Sequence, residues 1–177
     1  MALDLTNLDK RTRELMIQEI EADEANRRLY VSPRLSSRGQ ADYPSLLKEA
    51  ALSHDASWRA SQLYANGRMN AEEQKRKPSG GFTTAKVPHN APDMLAEGEF
   101  NRFYMRGLCL RALEEGKSDL LVYRAIRVAN PRPESEAKIG SRVEARTLLE
   151  DLRENVGIDT TLKLPPGPNS GLSVRLP

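Results

Sequence analysis

Apolar residues three and four positions apart predict helices over four stretches of this chain. The first stretch runs from Asn7 to Tyr30, and Thr6 with Asp9 fits a capping box at its start. We expect the acidic residues in its middle to form a solvated face rather than a docking surface. These residues are Glu19, Glu21, Asp23 and Glu24.

The second predicted helix begins near Pro44, because proline suits a first helical position. Four of its residues follow one another at intervals of about one turn and therefore share one side: Leu47, Ala51, His54 and Trp58. We expect His54 to be a half-buried residue stacked on Trp58, without a metal or a nucleophile beside it.

The third predicted helix starts with Asp93 as its cap and stops near Gly116. A strand should follow from Asp119 to Val128, with apolar residues on both faces. Such a strand is expected in the interior of a small sheet. After a helical turn over 134–139, a capping box of Ser141 and Glu144 predicts a last helix that ends at Gly157.

Two segments show no pattern of an element that could fold on its own. Residues 65–92 are rich in Gly, Pro and charge, which predicts an irregular loop far longer than usual connections. The tail from Ile158 contains several Pro and Gly residues and ends with Leu172, Val174 and Leu176 alternating with polar positions. This alternation would let the terminus add as an edge strand, to its own sheet or to that of a neighbour.

Together these elements predict a mainly helical α+β fold with about four helices around one central strand. A long irregular loop and an extended C-terminal tail complete it. The expected organisation is an N-terminal helical part over 1–64, a polar loop or arm over 65–92, a helix–strand–helix core over 93–157 and the tail over 158–177.

Composition limits the classes of function. The 177 residues are 38% hydrophobic and 29% charged, so a packed core is expected for only part of the chain. The formal charge of +2 argues against nucleic-acid binding through bulk charge and leaves only a local basic patch.

Residues that hold cofactors are scarce. Cys109 is the single cysteine and we expect it to be a small core residue, while two histidines make a His-rich metal site improbable. The N-terminus lacks the pattern of a signal peptide, and no apolar run is long enough to span a membrane. We therefore expect a cytoplasmic protein, or a component of a particle such as a virion, without cofactor or metal.

Three groups of residues carry candidate chemistry. Asp119, Glu136 and Lys138 match the spacing of the PD-(D/E)xK nucleases, in which two carboxylates hold a divalent cation and the lysine steadies charge. Their polar, Pro-flanked context argues against this interpretation. On the third helix Glu97, Asn101 and Tyr104 point the same way, and they form either a ligand site or, as we favour, a buried polar network.

The third group lies in the predicted loop and could meet nucleic-acid phosphates. Its members are Lys75, Arg76, Lys77, Gly80, Gly81 and Lys86. The segment lacks the spacing of a phosphate-binding loop, and Phe82 is its single aromatic residue.

The leading hypothesis is a non-enzymatic assembly protein whose loop and tail contact neighbouring subunits of a larger particle, for example a phage virion. Segments that cannot fold on themselves are often ordered by partners. The first alternative is a nucleic-acid-binding accessory protein that uses Lys75–Lys77. The second is a small metal-dependent nuclease that uses Asp119, Glu136 and Lys138.

Overall fold

The computed structural model of the protein describes residues 3–156 and 171–177. In these residues the helices are α1 Lys10–Ala25, α2 Ser37–Ser53, α3 Ala56–Tyr64, α4 Ala91–Glu114, α5 Pro133–Glu136 and α6 Ala145–Glu154. The strands are β1 Glu72–Arg76, β2 Phe82–Lys86, β3 Asp119–Arg124, β4 Arg142–Glu144 and β5 Leu172–Arg175. The mainly helical α+β class is confirmed, although the described elements outnumber the four helices and one strand expected.

Helix α4 lies at the centre of the core. Helices α1, α3 and α6 pack around it, and so does strand β5. Side chains on several sides of α4 are therefore buried, among them Phe100, Phe103, Leu108 and Cys109. Cys109 is a core residue, as its apolar neighbours predict.

Strand β3 is the middle strand of a three-stranded antiparallel sheet with the order β4-β3-β5. The interior position predicted for this strand is confirmed, but the strand ends at Arg124 rather than Val128. Its last four residues pair with β5, with Val122 opposite Val174. The C-terminal strand thus joins the sheet of its own chain; the predicted tail residues 158–170 lie outside the described residues.

Side-chain caps move several helix boundaries from those predicted. Asp9 rather than Thr6 caps α1, and its carboxylate accepts a hydrogen bond from Thr12 N at 3.1 Å. The second predicted helix is two helices, because the Asp55 carboxylate accepts from Trp58 N at 2.8 Å and starts α3. Helix α2 begins at Ser37, so Pro44 lies inside it.

The predicted capping box of Ser141 and Glu144 is wrong. Residues 142–144 form β4 instead, with Glu144 opposite Asp119. Glu144 is also the residue before α6, and its side chain accepts a hydrogen bond from the Thr147 hydroxyl. Strand pairing therefore takes the place of the predicted start of the last helix, which begins at Ala145 instead.

The prediction of an irregular loop over 65–92 is also wrong for the centre of that segment. Strands β1 and β2 form an antiparallel hairpin from Glu72 to Lys86, which we call the arm. The strands carry mostly polar residues and expose both faces, so no hydrophobic alternation marks them in the sequence.

A close backbone approach fixes the base of the arm. A Cβ at Gly39 in α2 would lie 2.1 Å from the carbonyl oxygen of Arg68. Nearby, Ser36 N donates to that same oxygen at 2.9 Å, and Leu35 forms an antiparallel bridge with Met69. The segment that leads into the arm is thereby fastened to the start of α2.

We predict that Gly39→Ala lowers the free energy of unfolding by about 2–3 kcal/mol, because the new methyl group forces two backbone segments apart. Urea denaturation followed by circular dichroism measures the change. Ser45→Ala, at an exposed position of the same helix, is the control and should change stability little. Equal stability of the two variants would contradict the close approach.

Candidate functional site

The tip of the arm is a tight turn over residues 77–81. Lys77 N donates to the Gly81 carbonyl at 3.0 Å, and Gly80 N donates to the Lys77 carbonyl at 3.0 Å. Gly80 and Gly81 have φ angles of +89° and +77°, which favour glycine over any residue with a side chain. The glycine pair singled out in the sequence therefore shapes the turn.

Cross-strand pairing sorts the side chains of the arm onto two faces. Arg76 lies opposite Phe82, and Glu72 lies opposite Lys86. Between these pairs, Gln74 Nε2 donates to Thr84 Oγ1 at 3.1 Å. Partners in a pair share a face, so these residues form one polar and basic surface with a single aromatic ring.

All six predicted nucleic-acid-binding residues belong to this hairpin. Lys75, Arg76, Lys77, Gly80 and Gly81 lie at or beside its tip, whereas Lys86 lies at the opposite end of β2. The structure therefore brings the first five together and separates Lys86 from them.

Ion pairs fasten the base of the arm to the rest of the chain. Arg34 Nε donates to a carboxylate oxygen of Glu73 at 2.6 Å, and Arg34 Nη2 donates to the other at 3.1 Å. This hydrogen bonding lowers the pKa of Glu73 below its ordinary value. The buried Arg68 donates to Asp42 at 2.8 Å and to the Gln62 carbonyl at 2.7 Å.

Beyond its base, the arm is exposed. Its two strands pack chiefly against each other, and the Phe82 side chain is 70% exposed. Glu73 and Ala85 are half-buried, while the other residues of both strands are exposed. Phe82 has the largest exposed fraction among the exposed large hydrophobic residues in the described part of the chain.

The predicted nuclease residues are not brought together. Asp119 begins β3, whereas the Glu136 carboxylate accepts from Arg124 Nη2 at 2.5 Å, at the other end of that strand. Six residues of strand span roughly 16 Å, too far for two carboxylates to share one cation. Glu136 is on α5 rather than on a strand, and Lys138 follows that helix. Across residues 3–156 and 171–177, no group of three His, Cys, Asp or Glu residues is placed to hold a metal ion.

Two residues of the predicted trio on α4 join segments of the body, by which we mean the described residues outside the arm. Asn101 donates to the Leu172 carbonyl at 2.8 Å and accepts from the Ser173 hydroxyl at 2.6 Å. The Tyr104 hydroxyl accepts from Asn7 N at 3.2 Å, and burial raises the pKa of this phenol far above its ordinary value. Burial also raises the pKa of Glu97. The contacts of Asn101 and Tyr104 are those of a polar network that ties α4 to both ends of the chain.

His54 and Trp58 stack as expected, with ring centroids 4.2 Å apart and an angle of 8° between the planes. They border an open groove of about 530 Å³, together with Leu3, Leu5, Leu8, Arg13, Ser53 and Asp55. The guanidinium of Arg13 is engaged at the end of α2, where it donates to the Ala51 carbonyl at 2.7 Å. None of the predicted candidate groups lies in this groove.

Sequence reasoning missed a cluster of charges inside the core. Glu19 and Asp23, expected on a solvated face, are only 3% and 5% exposed. Arg106 of α4 donates to Glu19 at 2.7 Å and grips Asp23 with two hydrogen bonds of 2.6 and 2.9 Å. Burial alone would raise the pKa of Glu19, but the hydrogen bonds and charges of Arg153 and Arg106 lower it below its ordinary value.

A second part of this cluster lies beside α3. Arg59 is fully buried with its guanidinium 4.5 Å from the centre of the Tyr43 ring, and it donates to the Ala96 carbonyl at 3.4 Å. Glu99 accepts from Arg102 at 3.2 Å, and burial raises the pKa of this carboxyl. The sequence did contain a signal for this cluster. Glu99, Arg102 and Arg106 follow at intervals of three and four residues on α4, which places their side chains close together along the helix.

Comparison of this chain with protein-family models, with curated proteins and with solved structures gives no match. Candidate functions therefore rest on the geometry. None of the helices in the described ranges combines the length and apolar character that crossing a membrane requires.

We predict that Arg106→Ala lowers the free energy of unfolding by about 3–5 kcal/mol, because buried Asp23 loses both hydrogen bonds to a guanidinium and buried Glu19 keeps only Arg153. Chemical denaturation measures the loss. The control is Arg11→Ala, which removes an exposed ion pair to Glu114 from the same two helices and should change stability little. A small effect of Arg106→Ala, equal to that of the control, would show that the buried cluster does not hold α1 to α4.

Proposed function

We propose that this protein is a non-enzymatic assembly protein that contacts a neighbouring subunit of a larger particle through the arm. The observation that carries the proposal is the exposure of the arm on both faces, with Phe82 70% exposed near its tip. An isolated two-stranded hairpin is at best marginally stable in water. Docking on a partner supplies the buried surface that the arm lacks.

The way the arm is mounted supports this proposal. The contacts of Arg34 with Glu73 and of Leu35 with Met69 fix its base on the body. The direction of the arm is therefore set before a partner arrives, which reduces the entropy lost on binding. Strand β5 pairs with β3 of the same chain, so the proposal relies on the arm and not on that strand.

The arm can be removed with little disturbance of the body. Ala71 and Val87 flank it, and Val87 N donates to the Ala71 carbonyl at 3.0 Å. An Asn-Gly pair in place of residues 72–86 would close these two positions with a tight turn.

We predict that this armless protein loses self-association that the wild type shows. Light scattering behind size exclusion should give the wild type a mass above the 19.8 kDa of one chain and the armless protein the mass of a single chain. Thermal unfolding of the two proteins should have similar midpoints, which checks that the body is folded. Equal association states of the two proteins would contradict the proposal.

A second candidate function is nucleic-acid binding by the tip. The observation that favours it is the cluster of three cations, Lys75, Arg76 and Lys77, beside the exposed ring of Phe82. Cations of this kind neutralise phosphates, and an exposed ring offers a surface on which a base can stack.

For this second candidate we predict that replacing Lys75, Arg76 and Lys77 by Gln abolishes most retention on DNA or RNA. The slope of log affinity against log salt should fall by about 2–3, because each phosphate contact contributes about 0.7–0.9. A control with the same change in net charge replaces three exposed cations of the body by Gln: Lys10, Arg38 and Arg146. An equal loss in the control, or no retention of the wild type at low salt, would count against nucleic-acid binding.

A further inference from the structure

The outer edge of β1 carries unpaired backbone groups. Val87 N donates to the Ala71 carbonyl, and Lys77 N donates to the Gly81 carbonyl, both at 3.0 Å. The backbone groups of Ala71 and Lys77 therefore point toward β2. Backbone groups of successive residues in a strand point to opposite sides, so those of residues 72, 74 and 76 point away from β2. Since the arm is a two-stranded sheet, this edge has no strand beside it in the described part of the chain.

The same edge is already used for pairing just before the arm begins. Asn70 N donates to the Arg34 carbonyl at 2.8 Å, and Ser36 N donates to the Arg68 carbonyl at 2.9 Å. The segment 34–36 therefore covers the edge up to residue 70. The stretch from Glu72 to Arg76 continues this edge and can accept an antiparallel strand.

The charge sequence of β1 reverses about its centre. Glu72 and Glu73 come first, Gln74 is neutral, and Lys75 and Arg76 follow. A second copy of β1 running antiparallel and centred on Gln74 places each Glu72 opposite an Arg76 and each Glu73 opposite a Lys75. Opposite charges directly across an antiparallel pair are favourable, whereas like charges are not.

Other registers are unfavourable, either because of the direction of the backbone groups or because of the same charges. A slip of one residue sets the outward groups of one strand against inward groups of the other, so the ladder cannot form. A slip of two residues places Glu73 opposite its own equivalent in one direction, and Lys75 opposite its own equivalent in the other. Parallel pairing in register opposes every charge with itself.

We propose that the partner of the arm is a second copy of this chain, joined edge to edge through β1 about a two-fold axis at Gln74. This inference rests on the proposed function, because it names the partner of the same arm. The two hairpins form a four-stranded antiparallel sheet, with residues 72, 74 and 76 of each copy exchanging backbone hydrogen bonds. Because the two β1 strands run in opposite directions, the bodies lie at opposite ends of this sheet.

Backbone hydrogen bonds supply the attraction in this arrangement, and the charges select the register. The two Glu72–Arg76 pairs are exposed and the two Glu73–Lys75 pairs are partly exposed, so each adds little affinity, but a wrong register meets like charges. Glu73 also keeps its bond to Arg34, which holds its carboxylate in place at the edge.

Charge exchange tests the proposal. One variant carries Glu72→Lys and the other carries Arg76→Glu, so that the contact of Glu73 with Arg34 at the base of the arm is left intact in both. Each variant alone should run in sedimentation as a single chain of about 19.8 kDa, because both opposed pairs of residues 72 and 76 become repulsive. An equimolar mixture of the two should restore the double mass, because each Lys or Arg then faces a Glu.

Cysteine cross-linking tests the register independently. Residues of a hydrogen-bonded antiparallel pair have Cα atoms about 5.5 Å apart, within reach of a disulfide. Gln74→Cys should therefore give a covalent dimer under mild oxidation, and buried Cys109 does not compete. Thr84→Cys, on the outer edge of β2, is the matched control and should cross-link much more slowly.

The outcomes separate this inference from the proposed function. One outcome overturns the β1 pairing while the proposed function stands. In it the armless protein loses association, but the mixture of charge variants does not regain the double mass and Gln74→Cys does not cross-link, so the arm docks elsewhere. Faster cross-linking of Thr84→Cys would overturn it in favour of pairing through β2. If association disappears after nuclease treatment, nucleic acid rather than a second chain bridges the arms, and the inference fails.

Discussion

The guanidinium of Arg106 fastens helix α1 to helix α4 inside the core, and much of the body depends on that contact. It pairs with both Glu19 and Asp23, while Arg153 brings α6 to the same Glu19 carboxylate. Three helices are thus joined by ion pairs, of which those of Arg106 are buried from water. A buried cluster of this kind costs desolvation energy and is stable only while every member keeps its partner.

The first and last described segments are held by hydrogen bonds within the same chain. Leu176 N donates to Asn7 Oδ1 at 2.9 Å, and Asp4 N donates to the Ala125 carbonyl at 2.9 Å. Strand β5 fills one side of the sheet and contacts α4 through Asn101. With these segments held internally, the arm is the strand pair that packs on little else in the described residues.

Elements with an apolar period were predictable from the sequence, and polar elements were not. The run around Phe100 and Phe103 indicated the central helix, and the apolar residues on both faces after Asp119 indicated the middle strand. The arm gave no such signal, because strands that expose both faces need no hydrophobic alternation. Glu19 and Asp23 were misassigned for a related reason: pattern alone cannot show that Arg106, more than 80 positions away, folds onto them. The basic residues of the arm could be found by adjacency, but their exposure and their position at a turn depended on strand pairing.

Charge on an edge strand usually prevents association, because identical edges repel or remain hydrated. The order of the charges along the strand decides whether repulsion prevents every pairing between two copies. A strand with one sign of charge repels every copy of itself, whereas the order Glu72-Glu73-Gln74-Lys75-Arg76 opposes like charges in the in-register parallel pairing and in antiparallel pairings shifted by two residues, and opposite charges in the antiparallel register centred on Gln74. Such an edge can remain fully polar, so it does not expose the continuous apolar surface that causes aggregation. In the pairing that we propose, the arm therefore offers a specific contact surface without exposing a continuous apolar one.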